Sequence, residues 1–202
     1  MGAQRPEVTL VVVTYNSAQL LRAFFDALAS ALADVDSYEV VVADNASWDE
    51  TLELVSELAP AATVVRLGRN AGYAAGINAA VARAVKGARA VLVCNPDVRL
   101  HPGSVRRLLD ALASPAGTAP EAVSPEVGIV VPRLVEADGT LALSLRREPK
   151  VLRALGEALL GGRRAGRFAA LGEVVCDPRC YQRPGSADWA SGAVMLVSRR
   201  CL

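Results

Sequence analysis

Two aspartates follow directly after apolar runs that have the length of buried strands. Asp97 closes the tripeptide Asn95-Pro96-Asp97 after the run 90–94, and Asp44 closes an earlier run and is followed by Asn45. Ligands of open α/β sheets bind outside the carboxyl ends of the strands, so an aspartate there is placed to meet a ligand. Two such strands predict a site that holds a cation, a hydrogen-bonding base, or both.

The segment Thr14-Tyr15-Asn16 ends the first predicted strand, beside Asp44 in a parallel arrangement. Its backbone amides and the Tyr15 ring could hold a base and a ribose. The alternative is a plain turn from strand to helix, capped by Asn16 or Ser17. Both interpretations remain open for each side chain, and the ligand is favoured for the loop as a whole.

Three glycines, Gly68, Gly72 and Gly76, surround the next polar loop. Glycine lets a backbone approach an anion, and a following helix offers free amides to a phosphate. The spacing matches neither a Walker loop nor a dinucleotide-binding fingerprint. Close helix packing explains these glycines equally well.

The elements that must position these residues follow from the apolar periodicity. Strands are predicted over 8–15, 39–44, 62–67 and 90–94. A first helix is predicted over 18–33, and a second from a Ser47/Glu50 capping box through Leu58. A third helix has an apolar stripe from Ile77 to Val85 and a C-cap at Lys86-Gly87, and a fourth begins at Pro102. This alternation predicts a parallel sheet with right-handed crossovers and helices on both faces.

The second half of the chain lacks this regular alternation of strands and helices. It is predicted to contain a surface loop over 115–125, strands over 127–132 and 140–147, a helix over 151–160, a solvated Gly-Gly-Arg-Arg segment over 161–164, and a last strand over 193–197. A mobile basic loop beside an anionic ligand is the alternative for the arginines of that segment.

The composition excludes several classes of protein. The chain has 202 residues, 52% of them hydrophobic, which is enough to build a core without disulfides or metals. Its formal charge is +1, so no global field attracts nucleic acid. No apolar run reaches the ~20 residues of a membrane-spanning helix, and no secretory leader is visible. A zinc site at Cys176 and Cys180 is not expected, because the chain has one histidine.

Five motifs in order carry a resemblance to a known family. They are Val11-Val12-Val13-Thr14-Tyr15-Asn16, Val41-Val42-Ala43-Asp44-Asn45-Ala46-Ser47, the run from Asn70 to Asn78, Asn95-Pro96-Asp97-Val98 and Trp189-Ala190-Ser191-Gly192-Ala193. Together they resemble family 2 glycosyltransferases of the GT-A fold, in a branch similar to bacterial rhamnosyltransferases. The resemblance spans residues 8 to about 200, and it is loose between Pro115 and Asp188.

The resemblance implies a donor site for a uridine- or thymidine-diphosphate sugar. Asp44 would accept the N3–H of the base, a role its carboxylate can fill chemically. The residues implied to line the nucleotide-sugar site are Thr14, Tyr15, Asn16, Asp44, Asn45, Asn70, Gly72, Asn78 and Asn95. The competing interpretation of Asp44, a helix-initiating aspartate, is disfavoured here because Ser47 is expected to be the N-cap.

The tripeptide Asn95-Pro96-Asp97 occupies the position of the family's Asp-x-Asp metal motif. A divalent cation there, Mg²⁺ or Mn²⁺, would stabilise the charge that develops on the leaving diphosphate. One carboxylate, Asp97, can suffice because magnesium also takes phosphate and water ligands. Asn95 departs from the acidic residue that many relatives have, so metal affinity without nucleotide is expected to be low.

The resemblance also implies an acceptor side. Trp189 and Gly192 would line it, although a buried tryptophan before a strand explains Trp189 nearly as well. His101 is not expected to be catalytic, since it precedes a helix start. The expected acceptor is a glycan or a lipid-linked intermediate, used with inversion at the anomeric carbon.

We expect residues 1–202 to form a single GT-A domain, with a nucleotide-sugar-binding half over 1–114 and an incomplete acceptor-side half over 115–202. The general base, which relatives carry further on, is expected beyond Leu202, so turnover should be deficient and exposed apolar surface should favour self-association. The expected location is cytoplasmic, with possible peripheral contact at the inner membrane face. A noncatalytic nucleotide-sugar-binding module is the alternative, and a nucleotidylyltransferase is disfavoured because no glycine-rich loop follows the first strand.

Overall fold

A computed structural model describes residues 6–84, 87–113 and 127–202 of the chain. The chain divides into two compact units. Of the described residues, the first comprises 6–84, 87–113, 127–130 and 192–202, and the second comprises 131–191. The loop predicted over 115–125 lies outside the described residues.

The first unit is built on a six-stranded sheet. Its strands are β1 (Val8–Thr14), β2 (Tyr38–Asp44), β3 (Thr63–Arg66), β4 (Ala90–Cys94), β5 (Ile129–Val130) and β8 (Val194–Ser198). The spatial order is β3-β2-β1-β4-β8-β5. The four strands from β3 to β4 are parallel, whereas β8 runs antiparallel to both β4 and β5. The sheet is therefore mostly parallel, as predicted.

Helices pack on both faces of this sheet because side chains of each strand alternate between the faces. The helices are α1 (Ala18–Ala31), α2 (Thr51–Leu58), α3 (Tyr73–Arg83) and α4 (Ser104–Ala113). Ala80 of α3 packs with Val11 and Val41 on one face. Leu21 of α1 and Val55 of α2 pack with Val42 on the other. The α/β architecture that the sequence predicts is thus confirmed.

Three predicted helix ends are wrong. Ser47 is not an N-cap, since α2 begins at Thr51 after Glu50, and Ser47 instead bonds to Asp44. The third helix ends at Arg83, with the backbone of Ala84 leaving the helical region at ψ 147°, and the Lys86 of the predicted C-cap lies outside the described residues. The fourth begins at Ser104, because the positive φ of Gly103 (69°) interrupts the chain after Pro102.

The second unit is sparser in regular structure. It contains β6 (Leu145–Arg146), α5 (Val151–Leu160), the short helix α6 (Gly162–Ala165), a 3₁₀ turn over Pro178–Tyr181 and β7 (Trp189–Ala190). Strands β6 and β7 pair antiparallel.

The predicted helix over 151–160 is confirmed in this unit. The predicted strand over 140–147 shrinks to two residues, because only Leu145 and Arg146 find a partner strand. The Gly-Gly-Arg-Arg segment is partly helical and not a loop, since α6 covers Gly162–Ala165. Within the described ranges, no helix is both long and apolar enough to cross a bilayer.

Candidate functional site

The carboxyl ends of β2, β1 and β4 lie side by side at one edge of the first unit's sheet. Thr14 pairs with Asp44, and Val12 pairs with Cys94, so the segments that follow these strands emerge together. The chain connects β1 to β2 on one side and reaches β4 on the other side of β1. Such a reversal of strand order is where ligands of open α/β sheets bind.

Asp44 is buried at the end of β2, with 1% of its surface exposed. Its Oδ1 accepts hydrogen bonds from the hydroxyls of Thr14 (2.9 Å) and Ser47 (2.6 Å), and its Oδ2 accepts one from the Ser47 amide (3.0 Å). A carboxylate oxygen has two lone-pair sites, so Oδ2 keeps one for a further donor. The carboxylate is held by its own loop, and Oδ2 has one lone-pair site that no described donor uses.

Asn45 joins the end of β2 to the glycine-containing loop. Its Oδ1 accepts from the Ala71 amide (3.1 Å), and its Nδ2 donates to the Gly72 carbonyl (3.4 Å). The side chain is 3% exposed and uses both ends of its amide. Asn45 therefore fixes the position of the 70–72 loop, a role that sequence reasoning did not assign to it.

Asn16 and Asp49 hold the segment after β1 against the segment after β2. Asn16 has a left-handed backbone (φ 50°), and its Oδ1 accepts from the Trp48 amide (3.0 Å). Asp49 accepts from the amides of Ala18 at the start of α1 (3.1 Å) and Thr51 at the start of α2 (3.1 Å). One carboxylate thus satisfies the free amides of two helices.

The pKa of Asp49 lies below its ordinary value of 3.8. Partial burial alone would raise it, but the hydrogen bonds from the Thr51 hydroxyl and from the Ala18 and Thr51 amides favour the charged form and prevail.

The three glycines divide into two roles. Gly68 and Gly72 have positive φ angles (71° and 90°), a region that favours glycine, and Gly72 precedes the first residue of α3. Gly76 lies against β1, where an added Cβ would come within 2.7 Å of Cγ1 of Val13. Gly76 therefore serves helix packing, as one of the two interpretations of the sequence held. Asn70 supports the turn by accepting from the Gly72 amide (3.1 Å).

After β4, the backbone groups of Asn95 have hydrogen-bond partners, whereas its side-chain oxygen does not. The Asn95 amide donates to the Ala193 carbonyl (2.9 Å), and the Asn95 carbonyl accepts from Val98 (3.3 Å). Oδ1 of Asn95 is buried yet has no hydrogen-bond partner among the described residues. Asp97 is exposed two residues further on.

These oxygens suit a hard divalent cation. Mg²⁺ binds oxygen ligands and commonly takes only one or two carboxylates from protein, the remainder being phosphate and water. No cluster of three or more histidine, cysteine or acidic side chains that could hold a metal exists in the described parts of the chain. An orphaned amide oxygen at Asn95 and a free carboxylate at Asp97 fit an ion that is shared with a phosphorylated ligand.

Tyr73, the first residue of α3, is a site residue that the sequence did not single out. Its hydroxyl donates to the Gly192 carbonyl (3.1 Å), which links α3 to the chain entering β8. Burial, followed by the nearby Cys94 and Asp97, raises the pKa of Tyr73 to about 12. The hydroxyl stays protonated at neutral pH and keeps its role as a donor.

An open cavity of about 290 Å³ lies at this edge. Its lining residues are Val13, Thr14, Tyr15, Ser17, Asn45, Asn70, Tyr73, Asn95 and Pro96. Five of the predicted nucleotide-sugar residues therefore converge on one depression. Gly72 adjoins it through its contact with Asn45, and Asn16 and Asp44 brace its loops.

Other predicted residues are not among those that line the cavity. Asn78 is exposed on α3 and is absent from the lining. Gly192 belongs to the first unit, whereas Trp189 is 54% exposed in β7 of the second. Asp188, also in the second unit, accepts from the Glu148 amide (2.8 Å).

This mostly parallel sheet, with helices on both faces and polar loops at its carboxyl edge, is an open α/β architecture. The pattern of Glycosyl transferase family 2 matches residues 9–171. The chain is 30% identical to N-acetylglucosaminyl-diphospho-decaprenol L-rhamnosyltransferase of Mycobacterium tuberculosis, over 94% of this chain and 61% of that protein. It thus spans less than two thirds of the length of this relative. The chain belongs to glycosyltransferase family 2.

Solved structures confirm the fold. The mannosyltransferase PcManGT from Pyrobaculum calidifontis, in complex with GDP-Man and Mn²⁺, superposes with a TM-score of 0.56 at 22% identity, covering 98% of this chain and 46% of that one. Glucosyl-3-phosphoglycerate synthase from Mycobacterium tuberculosis, with Mn²⁺, UDP and glucosyl-3-phosphoglycerate, gives 0.54 at 16% identity, covering 96% and 57%. The chain has the GT-A fold.

Proposed function

We propose that this chain binds a nucleotide-diphosphate sugar in the cavity at the carboxyl edge of β1, β2 and β4, and serves a glycosyl transfer. The observation that carries the proposal is the unpartnered Oδ1 of Asn95, which lies in the lining of the cavity and close in sequence to the exposed Asp97. The side chain of Asn45, also in the lining, has hydrogen-bond partners within the chain. A buried polar atom without a partner is costly unless a ligand satisfies it.

The base is proposed to be uracil or thymine. Asp44 has one acceptor site left on Oδ2, and both pyrimidines present an N3–H donor. Thr14, Tyr15, Asn16 and Asn45 would form the walls of the base and ribose pocket, with Asn70 and Gly72 toward the phosphates. Asn78 is proposed as a contributor from α3 that does not line the cavity itself.

The diphosphate is proposed to bind together with Mg²⁺ or Mn²⁺ at Asp97, with the side-chain oxygen Oδ1 of Asn95 as a second, uncharged oxygen close to the ion. The metal would offset negative charge on the leaving diphosphate. Related structures contain Mn²⁺ with GDP-Man or UDP, which supports a divalent ion as the partner of a nucleotide.

The acceptor is proposed to be a glycan or a lipid-linked intermediate, with inversion at the anomeric carbon. A relative named for a decaprenol-linked substrate supports the lipid-linked choice. Trp189 and Gly192 are the proposed acceptor-side residues. A cytoplasmic chain with peripheral contact at the inner membrane face is the proposed setting.

Titration calorimetry tests the donor site. UDP, dTDP and ADP are each titrated into the chain with and without MnCl₂. We expect UDP and dTDP to bind with metal, and ADP to bind at least about tenfold more weakly, because adenine lacks the ring N–H that a charged acceptor would bind. Equal affinities for the three would refute the base assignment, and metal-independent binding would refute the cation.

Transfer is separated from binding by a turnover assay. The assay compares this chain with a longer chain that includes the expected position of the general base. The favoured outcome is nucleotide release that depends on a lipid-linked or glycan acceptor in the longer chain, and release roughly 10²–10⁴-fold slower in this one. Donor binding without release by either chain under any acceptor would support the alternative, a noncatalytic nucleotide-sugar-binding module.

A further inference from the structure

Helix α5 contacts the rest of the second unit through polar and small residues. Nε of Arg153 donates to the Ala169 carbonyl (2.9 Å), and Oε1 of Glu157 accepts from the Glu173 amide (2.8 Å). Gly156, between them, is buried, and a Cβ there would come within 2.3 Å of the Leu171 carbonyl oxygen. The inner face of this helix is therefore the polar one.

The outer face of α5 is apolar. Val151 and Leu159 are each 81% exposed, and Leu152 and Leu155 are more than half exposed. Phe168, shortly after α6, is 60% exposed. A globular protein normally turns such a stripe inward, so an outward one marks a surface that binds something apolar.

The same segment is basic. Residues 150–168 contain five lysines and arginines against one glutamate, a formal charge of +4 in a chain whose total is +1. Arg153 lies on the inner face and Lys150 pairs with Glu148 (3.4 Å), so the arginines after α5 are the ones available to a ligand. Arg163, Arg164 and Arg167 are exposed on and just after α6, which packs against α5.

We propose that α5 and the arginines of residues 163–167 form a docking surface for an anionic lipid bilayer. An outward apolar stripe beside arginines is the arrangement of helices that lie in the bilayer interface, with leucines among the acyl chains and cations at the phosphates. A second copy of this chain is a poorer occupant, because a symmetric contact would bring the two +4 segments together. This inference rests on the membrane contact of the proposed function, for which it names the surface, and it is independent of donor binding.

Vesicle co-sedimentation tests the proposal. The chain is mixed with vesicles of phosphatidylcholine alone, or of equal parts phosphatidylcholine and phosphatidylglycerol, at low and high salt. We expect binding to the anionic vesicles that weakens with salt. Replacing Leu155 and Leu159 together by Gln should lower the partition coefficient on the order of tenfold for each leucine. Replacing Arg163, Arg164 and Arg167 by Gln should lower it on the order of 100-fold.

Control variants remove equal charge, or one exposed aromatic side chain, outside α5 and α6. Replacing the exposed Arg83, Arg107 and Arg183 by Gln, or Tyr38 by Gln, should leave partitioning within about twofold of the wild type, because none of these residues belongs to the proposed docking surface. Equal binding to both vesicle types, no binding, or equal losses in the control variants would overturn the proposal.

A different occupant would give a different pattern. Wild-type self-association in sedimentation velocity, lost in the leucine variant while vesicle binding is unchanged, would assign the face to a second copy and refute the lipid assignment. UDP affinity in the leucine and arginine variants should equal that of the wild type, which keeps a failure of lipid docking distinct from a failure of the donor site.

Discussion

Two asparagines follow neighbouring parallel strands at the same edge of the sheet, and they differ in what their side chains do. Asn45, after β2, uses both ends of its amide to hold the 70–72 loop. Asn95, after β4, has a buried Oδ1 without a partner in the described chain. The aspartates beside them differ in the same sense, since Asp44 is 1% exposed and bonded, whereas Asp97 is exposed.

The contrast shows that one edge of the sheet can hold its shape and still bind a ligand. On the β2 side, which is the segment after β2, the polar side chains form hydrogen bonds to neighbouring loops, and these bonds fix the shape of the cavity before a ligand arrives. On the β4 side, which is the segment after β4, Oδ1 of Asn95 and the carboxylate of Asp97 have no partner among the described residues, so a cation that also binds a phosphate can satisfy them. Substitutions on the β2 side should therefore reduce stability first, and those on the β4 side should reduce binding first.

Replacing Asp44 by Ala should break the β2 side most severely. Three donors from Thr14 and Ser47 would lose their acceptor in a buried setting. We expect the free energy of unfolding to fall by about 3 kcal/mol, measured by urea denaturation. A matched Asp26→Ala substitution, exposed on α1, should change it by less than about 0.5 kcal/mol. A stability equal to the wild type would show that these bonds do not hold the loop.

Replacing Asp97 by Asn should break the β4 side without affecting the fold. Its side chain is exposed, so the unfolding midpoint should not move. Affinity for UDP in the presence of Mn²⁺ should fall by about 10–100-fold, because a charged ligand of the metal is lost.

The matched control for Asp97 is Asp26→Asn. Calorimetry should find wild-type UDP affinity in it, with and without the metal. If Asp97→Asn also binds UDP and Mn²⁺ like the wild type, the cation lies elsewhere.

Replacing each asparagine by Ala sharpens the comparison directly. Asn45→Ala strands the Ala71 amide and should cost about 1–2 kcal/mol of stability. Asn95→Ala removes a buried oxygen that has no described partner, so stability should be unchanged or rise by up to about 1 kcal/mol.

Thermal unfolding of this pair, with and without UDP and Mn²⁺, is the measurement. The ligand-induced rise in Tm should persist in Asn45→Ala, if it folds, and shrink in Asn95→Ala. A loss of stability in Asn95→Ala as large as in Asn45→Ala would remove the distinction between the two sides.

Much of this edge could be predicted from the sequence. The apolar runs ending at Asp44 and Asn95 gave parallel strands because a buried strand leaves a continuous hydrophobic signal. The convergence of Thr14, Asn45, Asn70 and Asn95 on one cavity follows from parallel strands sharing an edge. The roles of these residues toward a sugar nucleotide remain predictions.

What the sequence did not reveal lies in contacts between loops distant along the chain. Ser47 and Glu50 matched a capping box, but Asp49 satisfies the helix amides instead, since α1 brings Ala18 to its carboxylate. The hydrogen bond from Tyr73 to Gly192 joins residues 119 positions apart, and no periodicity signals it. The short strands of the second unit likewise depend on which partner they meet.

The smallest expected effect concerns Asp49, which lies in the segment after β2 and accepts hydrogen bonds from the first residues of α1 and α2. Because its pKa is lowered in the folded chain, its charged form stabilises the fold above about pH 4, and this contribution is lost as the pH falls through the folded pKa. Asp49→Asn should cost about 0.5–1 kcal/mol at pH 7, and the difference from the wild type should shrink below pH 4. Urea denaturation across this pH range measures it, with Asp26→Asn, exposed on α1, as the control. A difference that is constant with pH would mean that the charge of Asp49 does not contribute, and that the loss of one acceptor oxygen accounts for the cost.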